Sequence, residues 1–251
     1  MAKPTPITQE QLKNFSKHYH ENPVRRLATC ALSKSDMADV AYCTPGAAAM
    51  QHKFSIEIPT LPVTNQRHSG RCWLFASLNV LREKIAKEKN LDKFELSQSY
   101  AAFWDKFERA NYFLESIIQT ATLPADDRVV HHILTTGVHD GGQWDMFVNL
   151  VEKYGIIPKD AMPETAQSSN TQMMNRMLNQ SLKNAAIHIR EMMAQGSGMK
   201  KVDEYKVSVL DKVYGYLCSC YSEPPKHFDF EYIDRTGTYH IERGYTPSSF
   251  Y

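Results

Sequence analysis

The sequence predicts a mainly helical α+β fold. Several segments after residue 70 repeat apolar side chains every three or four positions, which is typical of helices that pack by one face. Residues 228–241 instead alternate apolar and polar side chains around a glycine, which is typical of a β-hairpin. A chain of 251 residues with 42% hydrophobic and 23% charged side chains is an ordinary globular protein that can bury a sizeable core.

The first 53 residues predict an irregular lead-in, which is polar at first and then mixed, with the alanine-rich stretch CTPGAAAMQ. Pro59 and Pro62 then interrupt the segment FSIEIPTLPVTNQ, which predicts an extended stretch that ends at Gln66. We therefore expect the first core helix to begin beyond Gln66.

Three helices are predicted in the middle of the chain. The first is expected to close at Asn90, and its apolar stripe is Leu74, Leu78, Leu81 and Ile85. The second begins near Ser97, and its stripe is Tyr100, Phe103, Phe107, Ala110, Leu114 and Ile117. The third follows the sequence DGGQ and ends at Gly155, with an inward face of Trp144, Phe147, Val148 and Val151.

Two longer helices and a hairpin are predicted after residue 170. One helix covers about 170–194, with the stripe Met173, Met177, Leu182, Ala185 and Ile189. The other covers about 202–221, with the stripe Tyr205, Val209, Val213, Leu217 and Cys220. We expect these two helices to form an antiparallel pair outside the first core. The following β-hairpin turns at Gly237.

Composition argues against several classes of protein. The formal net charge is +1, so no basic excess favours nucleic acid or anionic lipid. No apolar stretch approaches the roughly 20 residues that cross a bilayer, and the N-terminus lacks the apolar region of a secretory signal, so we expect a cytoplasmic protein. The five cysteines are odd in number, and the spacing of Cys218 and Cys220 does not suit zinc, so we expect neither a disulfide framework nor structural zinc.

Cys72 stands at the predicted start of the first core helix, with Ser69 as the expected N-cap. The helix dipole and the unpaired N–H groups there favour a thiolate, which is the form that attacks a carbonyl carbon. That attack needs hydrogen-bond donors for the developing oxyanion. The carboxamide of Gln66, six residues upstream, can fold back beside the sulfur and form a two-donor site with the Cys72 N–H. Cys72 and Gln66 are therefore candidate catalytic residues.

Each of these features also has a purely structural interpretation. A single cysteine ahead of an apolar helix is more often an inert packing residue. The paired glycines Gly141 and Gly142 permit a close backbone approach, but alone they more often mark a turn into a helix. The longer segments around these residues decide between the two interpretations.

Three segments favour the functional interpretation. NQRHSGRCW (65–73) resembles the active-site segment of papain-like cysteine peptidases, and specifically of the bleomycin hydrolase family, which includes the bacterial aminopeptidases C. FELSQSYAAFWDKFERANYFLES (94–116) and DGGQWDMFVNLVEKYGIIPK (140–159) resemble two further stretches of that family. The resemblance runs from about residue 54 to the C-terminus and is weaker before it.

The resemblance implies a papain-like fold. It predicts an N-terminal lead-in (1–53), the helical left-hand subdomain with the nucleophile helix (54–165), a helical-hairpin insertion (166–225), and a β-hairpin that starts the second half (226–251). The β-rich right-hand subdomain would then be largely missing. The family further implies a homo-hexamer whose active sites face an internal channel, with peptides or small amides as substrates.

The resemblance also implies roles for single residues. Cys72 would be the nucleophile and Gln66 an oxyanion donor. Gly142, with Gly141 beside it, would present its backbone to the main chain of the substrate. The family needs no metal and no organic cofactor, and its reaction is aminopeptidase hydrolysis through a thioester acyl-enzyme.

The remaining catalytic groups of the family are not visible in this sequence. A papain-like thiolate needs a histidine base and an amide that orients it, and the family carries that amide in an Asn-Ser-Trp-Gly motif far downstream. His227 and His240 fall in the predicted hairpin and are expected to be structural. We therefore expect little or no activity from this chain alone. The alternative is a non-catalytic truncated product that acts as a binding or assembly subunit.

Overall fold

The computed structural model describes residues 5–50 and 53–251. Contacts between residues divide the chain into two compact units, Met1–Pro59 and Thr60–Tyr251. The candidate site residues Gln66, Cys72 and Gly142 all belong to the second unit, so the fold of that unit positions the site.

Most of the first unit between residues 9 and 49 is helical, so the prediction of an irregular lead-in was wrong. Its helices are α1 (Gln9–Glu21), α2 (Pro23–Leu32), α3 (Met37–Ala41) and α4 (Thr44–Ala49). Helix α1 starts with a capping box, in which Thr8 and Gln11 each accept a hydrogen bond from the other's backbone N–H. Helix α2 starts with Asn22 as N-cap and Pro23 in its first turn. Residues 1–4 and 51–52 of the predicted lead-in lie outside the described residues.

Helix α5 (Cys72–Glu88) confirms the first predicted core helix and its end. Its buried face consists of Trp73, Leu74, Phe75, Ser77, Leu78, Arg82 and Ala86. Asn90 takes a left-handed conformation with a φ of 55°. The Leu91 N–H then donates to the Ala86 carbonyl at 2.8 Å, which is the capping pattern that ends many helices.

Three helices follow, and two of them were predicted. They are α6 (Gln98–Gln119), α7 (Arg128–Thr136) and α8 (Trp144–Tyr154). Helix α6 starts next to Ser97 as expected, and the Ser97 hydroxyl caps it by accepting from the Tyr100 N–H. Helix α7 was missed, although Asp127 caps it. On α8 the prediction was wrong for Trp144, which is 53% exposed, because the buried face is formed by Phe147, Leu150 and Val151.

Helices α9 (Ala166–Ser169), α10 (Gln172–Ala194) and α11 (Met199–Tyr221) follow a short 3-10 turn. At the start of α10 the buried residues are Met174 and Leu178, one position later than predicted, while Met173 and Met177 are exposed. Both long helices pack against α6 and share its core, so the expectation of a pair outside that core was wrong. The boundaries at residues 165 and 225 stay predictions of the resemblance.

The predicted hairpin is present at the end of the chain. It consists of β1 (Phe228–Ile233) and β2 (Tyr239–Tyr245), which pair antiparallel, and a short helix α12 (Pro247–Phe250) follows. Phe230 is buried with Leu61, Ala86 and Leu91 in a second, smaller core. The hairpin therefore packs beside the end of α5, away from the start of that helix, where Cys72 lies.

Candidate active site

Cys72 is the first residue of α5, and it is exposed. The expectation that Ser69 caps this helix was wrong, because the residue before Cys72, Arg71, is the N-cap and no side chain caps the helix. The Ser69 hydroxyl instead donates to the Gln66 carbonyl at 2.7 Å. The first turn of α5 therefore keeps N–H groups that no side chain satisfies, next to an accessible sulfur.

The turn that carries Cys72 is held by a buried arginine. The Arg71 guanidinium donates to both carboxylate oxygens of Glu164, at 3.1 and 2.8 Å, and to the Ser69 hydroxyl at 2.9 Å. It also lies over the Phe75 ring, 5.2 Å from the centroid. Burial alone would raise the pKa of Glu164, but the hydrogen bonds and charge of Arg71 hold that pKa below its ordinary value. Glu164 is therefore an anion that fixes the turn.

Gln66 lies in the same turn and is half-buried. The following residue, Arg67, has a φ of 55°, a left-handed conformation that folds the chain back sharply. Within residues 5–50 and 53–251, the buried Oε1 of Gln66 accepts no hydrogen bond. The part of the protein that is described therefore leaves this buried acceptor unpaired, and the role of Gln66 as an oxyanion donor stays a prediction.

The glycine pair lies directly beside the turn that carries Cys72. The Gly70 N–H donates to Asp140 Oδ2 at 3.1 Å, and the Trp73 indole N–H donates to the Asp140 carbonyl at 2.6 Å. A Cβ atom on Gly142 would lie 2.6–2.8 Å from three atoms of the Trp73 indole, so only glycine allows this approach. The structure therefore packs Gly142 against Trp73, the residue that follows Cys72.

Asp140 is the hub of these contacts. Its carboxylate receives hydrogen bonds from Lys106 Nζ at 2.5 Å, Thr171 Oγ1 at 2.6 Å and Asn175 Nδ2 at 2.8 Å, as well as from Gly70. Burial would raise the pKa of Asp140, but the charge and hydrogen bonds of Lys106, with those of the polar neighbours, hold that pKa well below its ordinary value. Burial lowers the pKa of Lys106, and Asp140 opposes that change. The pair is thus a buried ion pair under the glycine segment.

A second buried ion pair lies one turn further along α6. Arg109 Nε donates to both oxygens of Asp105, at 2.8 and 2.9 Å, and Arg109 Nη2 donates to the Gly141 carbonyl at 2.6 Å. Burial raises the pKa of Asp105 to about 6, against the opposing charges of Arg109 and Lys106. Burial, followed by the charges of Arg109 and Lys106, lowers the pKa of His139. Because His139 Nε2 lies 3.2 Å from Arg109 Nη1, a neutral imidazole there can accept from the guanidinium.

The sequence of this chain matches a known protein family over nearly its whole length. The sequence profile of the Peptidase C1-like family matches residues 6–251. The chain belongs to this family. Proteins similar to this chain include aminopeptidase C of Lactobacillus delbrueckii subsp. lactis, which is 40% identical over 98% of this chain and 55% of its own length. Aminopeptidase C of Listeria monocytogenes serovar 1/2a is 42% identical over the same shares of the two proteins.

A mammalian relative and a solved structure are also similar to this chain. Bleomycin hydrolase of Rattus norvegicus is 35% identical over 98% of this chain and 55% of its own length. The crystal structure of PepW from Lactobacillus rhamnosis HN001 superposes with a TM-score of 0.94 and 41% identity, covering 98% of this chain and 55% of that one. The mainly helical α+β fold is thus shared with a solved structure, and the family resemblance is confirmed. This Peptidase C1-like chain spans about 55% of the length of the relatives it matches.

In residues 5–50 and 53–251 of this Peptidase C1-like chain, no hydrogen bond joins the Cys72 sulfur to a histidine ring. His240 lies on β2 and pairs with Asp234 at 2.9 Å. Across residues 5–50 and 53–251, no group of three or more His, Cys, Asp or Glu side chains is placed to hold a metal ion. Nor does any helix in those ranges have the length and apolar character to cross a membrane.

Sequence reasoning missed the charged residues that support this Peptidase C1-like site. Lys106 and Arg109 lie among the aromatic side chains of α6, in the sequence FWDKFER, and Asp140 precedes the glycine pair. A lysine and an aspartate that share the inward face of an apolar helix rarely occur unless they are paired, and that was the available signal.

Proposed function

We propose that this chain is the nucleophile-bearing portion of a cysteine aminopeptidase related to bleomycin hydrolase. The observation that carries the proposal is the exposed Cys72 at the start of α5, beside a glycine that packs on the next residue, Trp73. Membership of the Peptidase C1-like family and the names of the aminopeptidase relatives support it.

In the proposed reaction, the Cys72 thiolate attacks the carbonyl carbon of the substrate. The C–S bond forms first, and the carbonyl π electrons move onto the oxygen to give a tetrahedral oxyanion. As the carbonyl re-forms, the C–N bond breaks and the amine leaves with a proton, which yields the thioester. Water then hydrolyses the thioester, which releases the carboxylic acid and restores the thiol. Gln66 and the Cys72 N–H would stabilise the oxyanion, and Gly142 would pair with the main chain of the substrate.

This reaction needs a base that residues 5–50 and 53–251 do not place beside Cys72. By resemblance, the histidine and its orienting amide come from the part of the family that lies beyond the matched 55%. We therefore expect little or no turnover of an aminoacyl substrate by this chain alone. A homo-hexamer, a cytoplasmic location and peptide or small amide substrates belong to the same proposal.

Selective alkylation of Cys72 tests the proposal on the chain as it stands. Two electrophiles are compared, namely an acetylated dipeptidyl chloromethyl ketone and chloroacetone, which has the same reactive group without a peptide. The thiol displaces chloride in both cases, and peptide mass mapping gives the rate at each cysteine. We expect the dipeptidyl reagent to outpace chloroacetone at Cys72 by about tenfold, since one or two backbone hydrogen bonds supply about 1.4 kcal/mol.

Cys43 supplies the internal control, because it is exposed and lies in the other unit. At Cys43 the dipeptidyl reagent should alkylate no faster than chloroacetone. Equal preference at Cys72 and Cys43 would contradict a peptide-binding site at Cys72 and would favour a non-catalytic binding or assembly role.

A further inference from the structure

Three successive backbone carbonyls ahead of Gly142 are each held by a different side chain. Lys106 Nζ donates to the His139 carbonyl at 2.8 Å. The Trp73 indole donates to the Asp140 carbonyl at 2.6 Å. Arg109 Nη2 donates to the Gly141 carbonyl at 2.6 Å. A loop backbone with every carbonyl fixed in this way has little freedom to rotate its peptide planes.

The two cationic donors are themselves fixed. Lys106 has a side chain that is 1% exposed and is paired with Asp140, and Arg109 has a side chain that is 13% exposed and is paired with Asp105. Both cations lie on the same face of the rigid helix α6, three residues apart. Burying two cations costs free energy unless each is paired and hydrogen-bonded. An apolar contact would hold the segment 139–141 to α6 at a lower cost in free energy. Their placement is explained by the carbonyls they reach.

The next residue, Gly142, behaves differently. Within residues 5–50 and 53–251, neither its N–H nor its carbonyl makes a hydrogen bond, although the residue is half-buried against Trp73. An unpaired peptide group next to fixed ones is available to an extended peptide, which binds by main-chain hydrogen bonds.

We infer that Lys106 and Arg109 are positioning residues, which hold residues 139–141 so that Gly142 presents its free N–H and carbonyl to the main chain of a peptide substrate beside Cys72. This inference rests on the proposed function. Neither cation touches the substrate, and each acts through the backbone it fixes.

The test removes one donor without leaving a buried charge. In the double variant Asp105→Asn/Arg109→Met both charges of the second ion pair are absent, and the contacts of the guanidinium with the Gly141 carbonyl, the His139 ring and the Trp73 ring are lost. The readout is the ratio of the dipeptidyl chloromethyl ketone rate to the chloroacetone rate at Cys72. This ratio cancels changes in the thiol itself, which a merely structural effect would alter in both rates. We expect the ratio to fall about tenfold, while the chloroacetone rate changes less than about twofold.

Lys206→Met is the matched control, because Lys206 pairs with Glu115 on the same helix α6 but contacts none of residues 139–142. Its ratio should stay at the wild-type value. If the double variant does not fold, Arg109→Lys replaces it, since lysine keeps the charge opposite Asp105 but lacks the fork that also reaches Gly141. The same fall in the ratio is expected.

The outcomes separate the two proposals. A wild-type chain with no dipeptidyl preference at Cys72 overturns the proposed function and this inference with it. A clear wild-type preference that survives in the folded double variant, or in Arg109→Lys, overturns only the positioning role.

Discussion

Asp140→Asn is expected to lower the free energy of unfolding of the Thr60–Tyr251 unit by about 3 kcal/mol at neutral pH, because it breaks a buried ion pair from one side. Four donors converge on this carboxylate, from Gly70, Lys106, Thr171 and Asn175. An asparagine has one acceptor and one NH₂ group, so either orientation of its amide points donors at donors. Urea unfolding followed by tryptophan fluorescence measures the change, since all three tryptophans lie in this unit.

The difference between the wild type and Asp140→Asn is also expected to depend on pH. The pKa of Asp140 in the folded protein is below its ordinary value, so its stabilising contribution is fully present above the unfolded pKa of about 4. That contribution is lost as the pH falls from there towards the folded pKa. The gap between the two unfolding free energies should therefore be constant near pH 7 and should narrow below about pH 4.

Arg243→Gln provides the control for this variant, because Arg243 forms an exposed ion pair with Asp229 at 3.8 Å. An exposed pair contributes less than about 1 kcal/mol, so this variant should unfold close to the wild type. If Asp140→Asn were as stable as Arg243→Gln at pH 7, Asp140 would not be the hub described above.

Gly142→Ala is expected to lower the free energy of unfolding by about 2 kcal/mol, because the added methyl group overlaps a fixed aromatic ring. The new Cβ would lie 2.6–2.8 Å from three atoms of the Trp73 indole. That indole is held by its hydrogen bond to the Asp140 carbonyl and has the Arg109 guanidinium 6.0 Å from its ring centroid. Either the ring or the backbone must therefore move. Urea unfolding and the emission maximum of the tryptophans measure both effects.

The neighbouring glycine is the matched control for this prediction. A Cβ on Gly141 would meet only His139 Nδ1, at 3.7 Å, which is an ordinary contact. Gly141→Ala should therefore unfold within about 0.5 kcal/mol of the wild type. Equal destabilisation by the two alanines would show that the contact with Trp73 does not explain the glycine pair.

The helices that could be predicted from the sequence were those with one clear apolar stripe. Leu74 and Leu78 on α5 are buried as the spacing predicted, α6 starts next to Ser97, and Asn90 ends α5 as its residue type predicted. Periodicity was less exact where apolar side chains occupy neighbouring positions. On α10, Met173 and Met174 are adjacent, so the stripe alone did not identify which one is buried.

Part of the candidate site could be predicted from the sequence, and part of it could not. The link between Cys72 and Gly142 came from the resemblance, and the structure supplies its physical basis in Trp73 and Asp140. The roles of Lys106 and Arg109 could not be predicted from spacing. The carbonyls that they bind lie more than 30 residues further along the chain. Contacts between distant segments are set by tertiary packing, which no local pattern contains.

The claim that Cys72 is the nucleophile is tested most directly by turnover in a chimera. Residues 1–251 are fused to the part of Listeria monocytogenes aminopeptidase C that lies beyond the 55% it matches, and hydrolysis of an aminoacyl fluorogenic amide is measured. We expect little or no turnover by the 251 residues alone, clear turnover by the folded chimera, and none by the chimera that carries Cys72→Ala. A Cys72→Ala chimera that hydrolyses the substrate as fast as its parent would contradict the account.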